Sequence, residues 1–201
     1  MMDGGFDNPD IGLHQAMLHP DNIVSFFEQY GVEKDFGFFS ENTDYAVYYF
    51  WRNALEAGYR ARVIVGGVNS NLYPNESVTV HDPYGSVRKN NDYFGVSALA
   101  LRRLWNKHGY IMIYCTELQT NCFGLHQDDI LPVADRNPVG LRAAQECLWN
   151  KPIAWPIKLY DCDKESEKWN NVDEAGRLSG RNVQPLVTEY CHWKDTQSPS
   201  R

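Results

Sequence analysis

The chain has 201 residues, enough to bury one ordinary core, and a formal net charge of −7 at neutral pH. That acidic balance argues against a nucleic-acid binder, which needs a basic face to neutralise phosphates. No apolar run approaches the roughly 20 residues that cross a bilayer, and Met1 to Asp10 is acidic and glycine-rich where a signal peptide would be basic and then apolar, so the sequence predicts a soluble chain without a membrane partner.

Residues 1–12 read as a flexible start. His19-Pro20-Asp21-Asn22 then precedes Ile23, Val24, Phe26, Phe27 and Tyr30 at helical spacing; Pro20 suits a first turn because its missing amide would be unpaired there anyway. Gly31 ends that helix. Phe36-Gly37-Phe38-Phe39 is short, apolar and flanked by polar residues, as expected of a strand covered on both faces. Ser40 to Asp44 supplies the side-chain oxygens that cap helix amino ends. Tyr45 to Glu56, with Tyr48, Tyr49, Phe50, Trp51, Ala54 and Leu55, reads as a buried helix closed by Gly58. Arg62-Val63-Ile64-Val65 begins a second strand. Strand, helix and strand in this order predict parallel neighbours, and in open α/β sheets ligands lie beyond the strands' carboxyl ends. The residues at those ends are Asn42, Asp44, Gly67, Asn69 and Asn71.

Tyr73 to Asn91 is rich in Pro, Asn, Asp, Gly and Ser around a short Ser77-Val78-Thr79-Val80 run, and reads as a long loop with one small strand, a candidate lid or partner surface. Ser97 to His108 predicts a helix with Leu101, Leu104, Trp105 and His108 on one stripe, closed by Gly109. Tyr110 to Tyr114 and Asn121 to Leu125 predict an antiparallel hairpin at a sheet edge. Beyond Asp128-Asp129 the pattern weakens. Within residues 131–160, Val139 to Trp149 reads as an accessory helix bounded by Pro138 and Pro152. Residues 161–201 are polar with scattered Trp169, Leu186 and Trp193, and read as a mobile tail.

Five cysteines, with no pair two residues apart, fit a complete disulfide framework poorly and read as reduced structural thiols. Cys115 and Cys122 flank the hairpin and could lie near one another, yet buried thiols are common and usually inert. A zinc site from Cys162, Cys191 and His192 lacks a compact ligand spacing, and His14, His19, His81 and His126 show no metal spacing either, so no metal is expected. Asn75-Glu76-Ser77 matches an N-glycosylation acceptor, but three-residue matches arise often by chance and matter only in a secreted protein.

His19-Pro20-Asp21-Asn22-Ile23-Val24, Asp44-Tyr45, Gly58 through Val65, Val68-Asn69-Ser70-Asn71 and Asp92-Tyr93-Phe94-Gly95-Val96-Ser97 together resemble landmarks of S-adenosylmethionine-dependent methyltransferase-like proteins related to the FkbM type. The similarity spans roughly residues 13–130. It implies the carboxyl-terminal half of a Rossmann-like class I methyltransferase sheet, parallel strands finishing in an antiparallel hairpin. The amino-terminal half of that fold would carry a first strand, a glycine-rich turn under the cofactor and an acid on its ribose, and none of these is found in this chain. Gly4-Gly5 is not followed by a helix pattern and reads as a flexible end. Relatives of this type usually carry acids at four positions that here are Asn42, Asp44, Val47 and Gly67, so one carboxylate of the four remains.

The resemblance makes Asp44 the candidate base, because methyl transfer to a hydroxyl or amine needs proton removal. Helix capping is the competing role of Asp44 and comes first, since Asp is a preferred cap. Asn69 and Asn71 would position an acceptor, or simply form a turn. Asn42, Asp92 and Tyr93 complete the substrate-side set, with capping again ahead of binding for Asp92 and Tyr93, and Glu41 adds a carboxylate at the same corner. Three readings follow: a methyl-transfer enzyme using S-adenosylmethionine on a small-molecule or protein acceptor, a non-catalytic relative whose sheet is a scaffold for a protein partner, or an incomplete product.

Overall fold

The fold is described from a computed structural model, over residues 14, 16–43, 45–72, 75–84, 94–116, 120–134 and 169–183. Helix α1 (Ile23–Gln29) leads into β1 (Asp35–Glu41), α2 (Val47–Glu56) and β2 (Arg60–Gly67). The two strands pair in parallel, from Asp35 opposite Arg60 to Glu41 opposite Gly66, as strand, helix and strand predict. After α3 (Ala98–Lys107), β4 (Tyr110–Cys115) and β5 (Asn121–His126) form the expected antiparallel hairpin, and the later strand lies inside, giving the order β1-β2-β5-β4 in a mixed sheet. Ser97 caps α3, its hydroxyl oxygen accepting the Ala100 amide at 3.2 Å, and Gly58 and Gly109 leave α2 and α3 with φ of +82° and +81°, where glycine carries no Cβ penalty.

Helices α2 and α3 meet over the sheet through Trp51 and Trp105, whose rings stand edge to face with centroids 5.4 Å apart. Glycine makes that approach possible. A Cβ at Gly66 would lie 2.8 Å from Leu101 Cδ2 and 2.9 Å from both indoles, and one at Gly124 would lie 2.8 Å from Ile64 Cγ1. On the helices' remaining surface sits a second antiparallel sheet, β3 (Val78–Val80), β6 (Trp169–Val172) and β7 (Leu178–Val183), in the order β3-β6-β7. Tyr48 Oη donates to the Gly176 carbonyl at 3.0 Å and Arg103 Nη1 to the Val172 carbonyl at 2.7 Å, fastening the β6–β7 hairpin to α2 and α3.

The structure corrects several expectations. Residues 169–183 form a docked hairpin with Trp169 and Val172 buried, where residues 161–201 read as a mobile tail. A helix, α4 (Gln127–Ala134), follows β5 where the pattern weakens. The first residue before α2 is Ala46, with no side-chain cap, so Ser40 and Glu41 do not cap it; both belong to β1, which extends past Phe39. Asp44, the accessory helix at Val139 to Trp149 and the zinc trio Cys162, Cys191 and His192 lie outside the described residues. Cys115 and Cys122 are joined by a disulfide rather than reduced: the hairpin register sets them directly opposite, with Cα atoms 4.0 Å apart.

Strand β1 is not covered on both faces, because Phe38 is 59 % exposed, and among the described residues it is also the edge of the sheet. An open edge carrying an aromatic invites pairing with another chain. Phe38→Lys is therefore expected to lower concentration-dependent self-association in light scattering without shifting the melting temperature; unchanged association would show that this edge is not the sticky one.

Burial also raises the proton affinity of three tyrosines, Tyr48, Tyr49 and Tyr110, the last to about 12. Since each phenol holds its proton more tightly folded than unfolded, the linked stability is intact below the unfolded value of 10.0 and is lost as pH climbs toward the folded values. Denaturation midpoints are expected to stay level up to about pH 10 and fall steeply beyond it. A flat profile to pH 12 would contradict that burial.

Candidate functional site

Parallel pairing brings the carboxyl ends of β1 and β2 side by side, and the sheet register then fixes which residues can share a site. Glu41, the last residue of β1, is buried, and its Oε1 accepts the Thr43 amide at 2.7 Å as well as the Thr43 hydroxyl. A buried carboxylate is expensive unless hydrogen-bonded, so this local loop is built around the acid. One residue on, Asn42 lies against Gly67: a Cβ there would be 2.9 Å from Asn42 Oδ1, so the bare backbone of Gly67 is what admits the amide.

Beyond β2 the chain turns at once. Val68 donates its amide to the Thr120 carbonyl at 2.9 Å, and Asn69 donates its amide to the Val96 carbonyl at 2.8 Å. Asn69 Oδ1 accepts the Asn71 amide at 3.0 Å while its Nδ2 donates to the Phe94 carbonyl at 3.0 Å. This is an Asn-stabilised turn, the alternative the sequence offers beside substrate binding, and it ties the end of β2 to the segment leading into α3. Asn69 and Asn71 are both buried. The structure thus gathers Glu41, Asn42, Gly67, Asn69 and Asn71 at one end of the sheet, while Asp44, Asp92 and Tyr93 lie outside the described residues.

A second polar group was not legible in the sequence. Asn170 Nδ2 donates to Tyr49 Oη at 3.0 Å, Tyr49 Oη donates to the Val80 carbonyl at 2.8 Å, and Asn170 Oδ1 lies 3.0 Å from His81 Nδ1. The group locks β3 and β6 to α2. His81 stands alone in sequence and Asn170 falls in a polar stretch, so no spacing announces it.

The resemblance implies a sulfonium nucleoside at this corner. A nucleotide cradle needs glycines whose missing side chains leave room for a ligand. Here the space over Gly66 is filled by Trp51, Trp105 and Leu101, and that over Gly67 by Asn42, so these glycines serve internal packing and the described residues do not fit that cofactor. Among the described residues no three His, Cys, Asp or Glu side chains are placed to hold a metal ion, and no helix is long and apolar enough to cross a membrane. In comparison with known proteins, the chain matches no family model, no curated protein and no solved structure.

Proposed function

We propose that this chain is a methyltransferase-like α/β protein whose described residues form the acceptor side of a transfer site. The observation that carries the reading is the parallel β1–β2 pair, with Glu41 and Asn42 meeting Gly67 at its carboxyl end, in a sheet that finishes with an inserted antiparallel hairpin. In this reading the exposed Asn42 lines the acceptor's approach, Glu41 holds the loop that carries it, and Asp44 is the base that takes the acceptor's proton. The Asn69–Asn71 turn holds the end of β2 in place rather than touching the acceptor.

Titration calorimetry of the folded chain with S-adenosylhomocysteine tests this. Saturable binding is expected, and Asp44→Asn is expected to leave that affinity within about twofold, since a base acts on the acceptor and not on the nucleoside. Silence from a monodisperse, cooperatively melting protein would overturn the reading. It would favour the alternative of an inactive relative serving as a protein-binding scaffold, for which the side chains packed over Gly66 and Gly67 speak.

A further inference from the structure

We propose that Asn75 carries an N-linked glycan, added as the chain enters an oxidising secretory compartment in which Cys115 and Cys122 also pair. Two independent observations meet in this. The first is the acceptor tripeptide Asn75-Glu76-Ser77 in its structural setting: Asn75 is exposed in a turn ahead of β3, where a bulky polar graft meets solvent and disturbs no packing. The second is the Cys115–Cys122 disulfide on the far hairpin, a bond that persists in the same compartments in which Asn-linked glycans are attached and is rare where thiols are kept reduced.

The fold also fixes when the modification takes place. In the folded protein Ser77 is buried and its hydroxyl donates to the Val172 carbonyl at 2.6 Å, so the acceptor hydroxyl is sequestered in the second sheet. Val172 lies 95 residues downstream, and until it has been synthesised Asn75 and Ser77 are open together. Transfer therefore precedes docking of β6. In the step itself the Asn75 amide nitrogen attacks C1 of an oligosaccharide held on a lipid pyrophosphate; the C1–O bond breaks, the lipid pyrophosphate leaves with the electron pair, the N–C1 bond forms, and the nitrogen gives up one proton.

The test uses the full chain in two forms. The endogenous protein, immunoprecipitated from its source cells, is expected to gain gel mobility after treatment with an amide-cleaving glycanase. The same chain produced behind a cleavable leader in a eukaryotic host is expected to show the glycan at position 75 by peptide mass, with loss of the glycan in Asn75→Gln and Ser77→Ala and retention in Ser77→Thr. Because transfer comes before folding, occupancy is read on total chain and a misfolded variant still reports. An endogenous protein with no mobility shift, or a host-made chain bare at Asn75, overturns the proposal. So does alkylation of both Cys115 and Cys122 without prior reduction in the endogenous protein.

Discussion

Gly176→Ala is expected to destabilise the protein by about 3 kcal/mol and to release the β6–β7 hairpin from α3, a sum of left-handed strain and overpacking. Gly176 has φ of +70°, and a Cβ there would lie 2.6 Å from the Arg103 carbonyl oxygen and 2.9 Å from Leu104 Cα. Those are helix backbone atoms, which cannot rotate aside as a side chain can. Displacing the turn also takes the Gly176 carbonyl away from the buried Tyr48 hydroxyl and leaves that donor unpaired. Urea midpoints measure the loss, and amide exchange in Trp169–Val172 should rise with it. Gly37→Ala is the control, since nothing lies within 4 Å of its Cβ; it is expected to change stability by less than about 0.5 kcal/mol. Equal midpoints for the two variants would mean that the second sheet does not rest on α3 as described.

Reducing the Cys115–Cys122 bond is expected to lower stability by about 2–3 kcal/mol, the chain-entropy value for a short closed loop. The two residues are 7 apart in sequence and close the end of the β4–β5 hairpin. Cys122 is also opposite Gly66 on β2, so the loosened end is the one that pairs beside the candidate site. The double variant Cys115→Ser, Cys122→Ala should match the reduced wild type, and dithiothreitol should leave its midpoint unchanged. A wild-type midpoint indifferent to dithiothreitol would show that the thiols are not paired.

The elements legible in the sequence are those whose signals are local. Apolar runs end at glycines that do stop helices, as at Gly31, Gly58 and Gly109, and the stripe of Leu101, Leu104 and Trp105 is the buried face of α3. The second sheet was hidden because Trp169-Asn170-Asn171-Val172 has no alternating pattern and its partner Val78–Val80 is some 90 residues earlier, a pairing that no window along the chain can register. The disulfide was hidden for a related reason: two cysteines seven positions apart become opposite only once the register, shifted between Met112 and Tyr114, is known. At the end of the sheet the sequence puts Asn42, Gly67, Asn69 and Asn71 near the strand tips but does not say how they bond to one another. Asn69 has the chemistry of a binding residue and of a turn residue alike, and only the positions of the Asn71 amide and the Phe94 carbonyl assign it to the turn.

The perpendicular indoles of Trp51 and Trp105 give the molecule an optical gauge of its own. At 5.4 Å their transition dipoles couple strongly, so the pair imprints a circular-dichroism couplet that neither ring would produce by itself. With the Phe39 ring of β1 4.4 Å from Trp51, that signal reports the joint where β1, α2 and α3 meet, and it allows this joint to be followed separately from the loss of secondary structure.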